Sequence, residues 1–177
     1  MNPLFISFSV LNYKAFAIYE YNDFIRKTIY QFKGCFDYEL ADVFIHNYAR
    51  EIKLMFSKYT LVPIPSYQED DELRGFNHVI EIYKKIGLKV LPILEKIEHH
   101  KQATKSAISR EKIYKFLKLK KKIDLRKKDI LIVDDIYTTG ATIKSAINII
   151  EKLNPRKIMV LVIAKTKTKS NNKQLIP

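Results

Sequence analysis

The stretch Ile130-Leu-Ile-Val-Asp-Asp-Ile-Tyr-Thr-Thr-Gly-Ala-Thr142 decides the fold class, because it changes from an apolar strand to a polar turn and then into a helix. Residues 130–133 predict a buried strand, residues 134–140 a polar turn, and residues 141–153 an amphipathic helix that ends at Asn154-Pro155. Residues 157–164 predict a second apolar strand. Two buried strands joined by a helix form a βαβ unit, which predicts an α/β fold with an open, mainly parallel sheet flanked by helices.

The polar residues of this turn point to a phosphorylated sugar. Ligands of open α/β sheets bind beyond the carboxyl ends of the strands, where a helix N-terminus presents free backbone N–H groups. Gly140 would let the backbone approach an anion, and the neighbouring threonine hydroxyls would add donors. Asp134 and Asp135 would repel that phosphate, so they suit a ribose diol or Mg²⁺. We expect the Asp135 carboxylate to be exposed at the strand end; a purely structural hydrophilic turn is the alternative that these residues leave open.

Two other classes of phosphate-handling protein are excluded by the same sequence. A P-loop NTPase needs Gly-x-x-x-x-Gly-Lys-Ser/Thr, and the 4 glycines of this chain are too far apart to form it. A receiver domain needs a phospho-acceptor Asp downstream of its acidic pair, and no Asp follows Asp135.

Working outward from this unit, the N-terminal half alternates helical and strand patterns. Asn22 and Asp23 can cap a helix, and Arg74-Gly-Phe-Asn77 opens another that ends at Gly87. The remaining predictions are an N-terminal strand in residues 1–11, an amphipathic helix over 39–58, a strand over 60–65, an acidic loop at 69–72, a strand over 88–98, a loop over 99–110, and a short strand or helix within 112–128.

Length and composition favour one domain in a reducing compartment. A chain of 177 residues with 47% hydrophobic residues and only 4 Gly and 6 Pro is typical of a single globular core. The single cysteine, Cys35, excludes an internal disulfide and a four-cysteine zinc site, so we expect a cytoplasmic protein without zinc. The apolar runs reach only strand length, so no membrane span is predicted.

The charge is strongly basic, and the excess lies in the second half of the chain. The net charge is +13, with 12 basic and 13 acidic residues in 1–98 but 20 basic and 6 acidic residues in 99–177. This asymmetry predicts a polyanionic partner such as single-stranded DNA, and a lysine-rich solvated surface is the alternative. The residues that we predict to contact DNA are Lys118, Lys120, Lys121 and Lys122.

These motifs carry a resemblance to a known family. The stretch from Ile130 to Thr142 resembles the phosphoribosyl pyrophosphate (PRPP) signature of type I phosphoribosyltransferases. Val62-Pro-Ile-Pro65, Arg74-Gly-Phe-Asn77, Gln102 and Arg110 are similar in order and spacing to the ComF family of competence-associated proteins. The resemblance covers residues 19–166, which predicts one phosphoribosyltransferase-like domain over 1–177 with a flexible tail at 167–177 and without the paired-cysteine zinc module that family members commonly carry at their N-terminus.

The resemblance implies a role for each of the quoted motifs. Asp134 and Asp135 would hold the ribose hydroxyls and Mg²⁺, and with Arg74 they would be the catalytic residues. The 5′-phosphate would be bound by Thr138, Thr139, Gly140, Ala141 and Thr142, and pyrophosphate by Pro63, Ile64, Pro65, Ser66 and Arg74. A mobile hood containing Lys101, Gln102 and Arg110 would cover the site.

Two functions remain open at this point. The first is a Mg²⁺-dependent, PRPP-binding protein of natural transformation, or DNA uptake, that transfers phosphoribosyl to an acceptor the sequence does not identify. The second is a non-catalytic competence protein that handles single-stranded DNA and keeps the PRPP pocket for regulation or as a vestige. The resemblance implies competence proteins as partners in both cases. Neither assigns a general base, because Thr138 occupies the position where some purine transferases carry an acidic one.

Overall fold

A computed structural model describes residues 5–34, 38–96 and 117–167. These residues form seven strands: β1 (Ile6–Val10), β2 (Tyr13–Glu20), β3 (Tyr59–Pro63), β4 (Leu94–Lys96), β5 (Leu117–Leu119), β6 (Asp129–Tyr137) and β7 (Lys157–Lys165). They also form five α-helices: α1 (Asp23–Gly34), α2 (Ala49–Met55), α3 (Gln68–Arg74), α4 (His78–Lys84) and α5 (Ala141–Glu151). No helix in these ranges is long and apolar enough to cross a membrane.

The main sheet has the strand order β1-β2-β7-β6-β3. Strands β2, β7, β6 and β3 run parallel, and β1 joins the edge as the antiparallel partner of β2. At the opposite edge, Leu61 of β3 donates to the Lys89 carbonyl and accepts from the Leu91 amide, so a short segment covers this side. Strands β4 and β5 form a separate antiparallel pair. The predicted α/β fold with a mainly parallel sheet flanked by helices is confirmed.

Helices cover the sheet on both faces, as buried parallel strands require. On one face, α1, α2 and α4 bury residues such as Phe32, Ile52 and Tyr83 against β3, β6 and β7. On the other face, α5 buries Ile143 and Ile147 with the β4–β5 pair. The central strands β6 and β7 are therefore enclosed. In open α/β sheets, ligands bind at the edge where the carboxyl ends of the strands emerge.

Several predicted elements are confirmed with small changes in their bounds. The N-terminal strand is β1, the helix capped by Asn22 is α1, and the βαβ unit is β6–α5–β7. Asn22 Oδ1 accepts the Ile25 amide at 2.9 Å. The predicted helix after Asn77 is α4, whose N-cap is Asn77, and Gly87 beyond its end has a φ of +71°. Local capping and turn chemistry therefore set these boundaries.

Three predictions of local structure were wrong, and one strand was not predicted. The predicted helix over 39–58 is two 3-10 turns, Tyr38–Ala41 and His46–Tyr48, followed by α2, because residues 42–48 (Asp, Val, Phe, Ile, His, Asn and Tyr) all favour helix weakly. The predicted acidic loop is helix α3. The carboxylates of its first turn stabilise the helix by interacting with the positive end of the helix dipole. Of the strand predicted over 88–98, the described residues 88–96 form β4 and one bridge at Val90. Strand β2 was missed.

Candidate functional site

Two loops meet at the carboxyl edge of the sheet because β3 and β6 are parallel neighbours. Pro63 pairs with Val133 at the end of this ladder, and the Ile64 amide donates to the Val133 carbonyl at 2.9 Å. The chain after β3 and the chain after β6 therefore leave the sheet side by side. This topology brings together the two motifs that the sequence analysis placed at a phosphate site.

The acidic pair lies within β6, which continues to Tyr137, and not in a turn after it. Successive side chains of a strand point to opposite faces of the sheet. Asp135 contacts side chains of α1 and α4 on one face. The two carboxylates therefore have different surroundings despite being adjacent in sequence.

Asp135 is buried, with 7% of its surface exposed, so the expectation of an exposed strand-end carboxylate was wrong. Its Oδ2 forms an ion pair with Lys33 Nζ of α1 and lies 3.2 Å from Nε2 of His78 on α4, and its Oδ1 accepts the Ile136 amide at 2.6 Å. Burial raises the pKa of this carboxyl, but His78 and the charge of Lys33 outweigh burial and hold the pKa below its usual range. Asp135 is therefore an ionised side chain whose oxygens are held by the protein.

Asp134 is only partly buried, and no described basic side chain forms an ion pair with it. Its Oδ1 accepts the Asp135 amide at 2.9 Å. Burial and the neighbouring Asp135 charge raise the pKa of Asp134. The Tyr83 hydroxyl lies 2.9 Å from the Asp134 carbonyl and 3.1 Å from the Leu161 carbonyl, which fixes the backbone beneath the pair. Asp134 is the more accessible of the two carboxylates.

The turn after β6 contains a glycine whose backbone conformation and surroundings disfavour a side chain. Gly140 has a φ of +73°, in the left-handed region, and a Cβ built there would lie 2.5 Å from the Tyr137 ring. Helix α5 begins at the next residue, Ala141. The side chains of Thr138 and Thr139 are exposed, and the Ala141 amide donates to Thr139 Oγ1 at 3.4 Å. Thr142, like Ala141, is partly buried in the first turn of α5.

The loop after β3 lines a cleft of about 470 Å³. Pro63, Ile64, Pro65 and Ser66 all contribute to its wall, together with α3, strand β4 and Lys120 directly after β5. Neither Asp134 nor the described turn at 138–142 lines this cleft, so the two motifs share an edge without sharing one cavity.

Arg74 extends across the end of α3 and does not line the cleft. Its side chain is 10% exposed and reaches Asp70, Asp71 and Nδ1 of His78 at 3.3, 3.4 and 3.0 Å. In this conformation the guanidinium is held by protein groups, and its role toward pyrophosphate stays a prediction.

His78 was missed by the sequence analysis although it joins the two motifs. Its Nδ1 lies 2.9 Å from Ser66 Oγ, and its Nε2 faces Asp135. Burial, aided by the charges of Lys33 and Arg74, lowers the pKa of His78. The sequence offered one signal for His78: it is a polar residue at the first helical position after the Asn77 cap.

The remaining predicted residues divide into two groups. Lys118, Lys120, Lys121 and Lys122 are all exposed, and Lys118 forms an ion pair with Glu95 at 3.2 Å. The predicted hood residues Lys101, Gln102 and Arg110 lie outside the described residues, as does the predicted tail at 167–177 except for Lys167.

Comparison with family models identifies the class of protein. Residues 74–175 match the model described as phosphoribosyl transferase domain, so the chain belongs to this family. The match includes the acidic pair, the Gly140 turn and the β6–α5–β7 unit described above.

Curated relatives confirm the resemblance to the ComF family. The chain is similar to Competence protein ComFC of Streptococcus pneumoniae, with 31% identity over 80% of this chain and 64% of the relative, and to Competence protein ComFC of Bacillus subtilis, with 29% identity over 73% of this chain and 55% of the relative. The chain thus spans less than two thirds of the length of either relative. Among solved structures it is similar to a hypoxanthine phosphoribosyltransferase from Staphylococcus aureus, with a TM-score of 0.44, 16% identity and coverage of 75% of this chain and 71% of that one.

Proposed function

We propose that this protein is a cytoplasmic, single-domain, PRPP-binding protein that acts with Mg²⁺ in natural transformation as a phosphoribosyltransferase. The observation that carries the proposal is the carboxyl edge of the sheet, where an acidic pair on β6 and a left-handed Gly140 before α5 lie beside the loop after β3. The competence names of the relatives support the cellular role. The acceptor of the phosphoribosyl group stays unassigned.

Each part of PRPP has a candidate set of residues at this edge. The backbone amides at the start of α5 and the hydroxyls of 138–142 would receive the 5′-phosphate. Asp134 would accept a hydrogen bond from a ribose hydroxyl directly, since it is the more accessible carboxylate, and Asp135 would complete the diol site. The loop from Pro63 to Ser66 would face the pyrophosphate, with Arg74 contributing positive charge.

The acidic pair fits a magnesium ion that arrives with its ligand. Mg²⁺ in phosphate sites is commonly held by one or two carboxylates together with substrate phosphates and water. The described residues contain no group of three or more His, Cys, Asp or Glu side chains suited to a metal, so phosphate oxygens would supply the remaining ligands beside Asp134 and Asp135. Bound Mg²⁺ would neutralise charge that develops on the departing pyrophosphate.

Calorimetric titration with PRPP tests the proposal. Wild-type protein should bind PRPP with Mg²⁺ and bind it more weakly when EDTA removes the metal. Asp134→Asn should weaken binding, whereas the matched control Asp23→Asn, on an exposed carboxylate of α1, should not. A folded wild-type protein that gives no heat with PRPP in the presence of Mg²⁺ contradicts the proposed function.

A second candidate function is binding of single-stranded DNA. It is favoured by the exposed lysines Lys118, Lys120, Lys121 and Lys122, which lie in and directly after β5, next to the strand that lines the cleft. Clustered positive charge neutralises phosphates without reading sequence. In this case the PRPP pocket would be regulatory or vestigial.

Fluorescence anisotropy with a labelled oligonucleotide tests the second candidate. The logarithm of affinity should fall with the logarithm of salt concentration at a slope of roughly −0.7 per phosphate contacted. A variant with Lys120, Lys121 and Lys122 changed to Gln should show a shallower slope, whereas Gln at the exposed positions 14, 27 and 53 should change it less. No binding by wild type at low salt contradicts this candidate.

A further inference from the structure

One chain of hydrogen bonds connects the two motifs of the proposed site. Asn77 Nδ2 donates to Ser66 Oγ at 3.4 Å, Ser66 Oγ lies 2.9 Å from His78 Nδ1, and His78 Nε2 lies 3.2 Å from Asp135 Oδ2. Ser66 belongs to the loop after β3, and Asp135 belongs to β6. His78 is 7% exposed, so this contact is inside the protein and not on its surface.

The partners of His78 fix the proton on its ring. Arg74 Nη1 lies 3.0 Å from Nδ1, and a guanidinium can only donate, so Nδ1 must accept. Ser66 Oγ then donates to the same nitrogen, and the two donors share its single lone pair. In the neutral ring the proton is therefore on Nε2, from which it is donated to the Asp135 carboxylate.

The same contacts argue against a nucleophilic role for Ser66. A serine nucleophile needs a histidine nitrogen that is free to take its proton. Here the Nδ1 lone pair is shared between Ser66 and the Arg74 guanidinium, so it is not free for Ser66 alone, and Ser66 is only 8% exposed. The arrangement is suited to holding two elements together.

We propose that His78 is a positioning residue that ties the pyrophosphate loop after β3 to the ribose-binding carboxylates of β6. The inference rests on the proposed function and extends it. PRPP would span both halves, so its affinity depends on their spacing, whereas pyrophosphate needs only the β3 loop and ribose 5-phosphate only β6 and the turn at 138–142. Lys33, paired with Asp135 from α1, supports the same carboxylate but does not reach the β3 loop.

Two substitutions each remove one side of this link. His78→Gln keeps an amide donor near the Nε2 position for Asp135 and removes the acceptor used by Ser66 and Arg74. His78→Asn keeps an acceptor near the Nδ1 position and removes the donor to Asp135. His46→Gln is the matched control, because His46 is an exposed histidine of a 3-10 turn.

Binding of three probes distinguishes the link from its alternatives. We expect both His78 variants to bind PRPP roughly tenfold more weakly, the scale of one lost hydrogen bond to a charged group, while pyrophosphate and ribose 5-phosphate stay within about twofold of wild type. Equal losses for all three probes would indicate general disruption and overturn the inference. Full PRPP affinity in His78→Gln would reduce the role of His78 to orienting Asp135, which also overturns it.

A measurement without ligand separates this inference from the proposed function. The side-chain ¹⁵N shifts of His78 in the free protein should report a neutral ring protonated on Nε2, and a proton on Nδ1 would overturn the inference whatever the protein binds. If wild type binds none of the three probes, the proposed function fails. If it binds pyrophosphate and ribose 5-phosphate but binds PRPP no more tightly than either, only the link between the halves fails.

Discussion

Strand β6 has a buried aspartate near each of its ends, and the two carboxylates contact different kinds of partner. At the amino end, Asp129 receives two hydrogen bonds from Arg156, to Oδ1 at 2.7 Å and to Oδ2 at 2.6 Å. At the carboxyl end, Asp135 is shared between Lys33 and His78, which come from two different helices. Both environments lower the pKa of the carboxyl.

The difference separates a pair that fastens two strands from a carboxylate that joins several elements. The Asp129 carboxylate is satisfied by one guanidinium that directly precedes β7, the neighbouring strand, so this pair fastens two adjacent strands. Asp135 instead connects β6 to α1, α4 and, through His78, to the loop after β3. The same residue type therefore closes the sheet at one end and organises several elements at the end where ligands of such sheets bind.

We expect the largest loss of PRPP affinity from a substitution in the turn that follows the carboxyl end of β6. Gly140→Val should reduce PRPP affinity by about a hundredfold or more, because its Cβ would meet the Tyr137 ring and the left-handed backbone disfavours β-branched residues. Gly87→Val imposes the same backbone strain away from this edge and should lower stability without changing PRPP affinity. Calorimetric titration of both variants measures this, and wild-type affinity in a folded Gly140→Val protein would make the turn purely structural.

We expect an intermediate loss of PRPP affinity from a substitution of Asp135, and the same substitution of Asp129 provides the direct comparison. Asp135→Asn should weaken PRPP binding tenfold to hundredfold, corresponding to roughly 1.5–3 kcal/mol for a charged hydrogen bond. Asp129→Asn should leave PRPP affinity unchanged. Because Asp135 is buried with two cationic or donor partners, we also expect its substitution to lower Tm, which thermal unfolding would detect. Equal PRPP affinity in the two variants would abolish the distinction between the ends of β6.

We expect the smallest effect from substituting Asp129 at the amino end of β6, and it concerns the stability of the fold. Asp129→Asn should lower Tm by roughly 2–4 °C at pH 7, about 1 kcal/mol for a domain of this size. The folded pKa of Asp129 is below its unfolded value, so the stabilisation is complete above the unfolded pKa and is lost as pH falls through the folded one. The Tm difference from wild type should therefore shrink below about pH 4. A difference that grows on acidification would contradict the assignment.

Sequence reasoning was most successful where local patterns and the fold agree. The apolar runs of β6 and β7, the Gly140 turn and the Asn77 cap all have signals within a few residues, and the fold class follows from them. Strand β2 was not predicted from its own residues. It is held in the sheet by pairing with β7, which is far away in the sequence. Tertiary contacts decide such segments more than their own propensity does.

The candidate site was predictable in its residue types but not in its electrostatics. The Asp-Asp pair and the threonine turn are visible in the sequence. The burial of Asp135, and its contacts with Lys33 and His78, depend on how α1 and α4 pack on β6. Contacts between residues 57 and more positions apart have no local signature, which is why His78 escaped notice.

The covered edge of the sheet has a consequence for self-association. Exposed edge strands offer unpaired N–H and C=O groups to other chains, which makes them templates for aggregation. On the β3 side, the hydrogen bonds of Leu61 with Lys89 and Leu91 occupy those groups, and Pro63 removes a donor. Strand addition at this edge is therefore blocked, and within the described part of the chain β1 is the edge of the main sheet on which a foreign strand could be added.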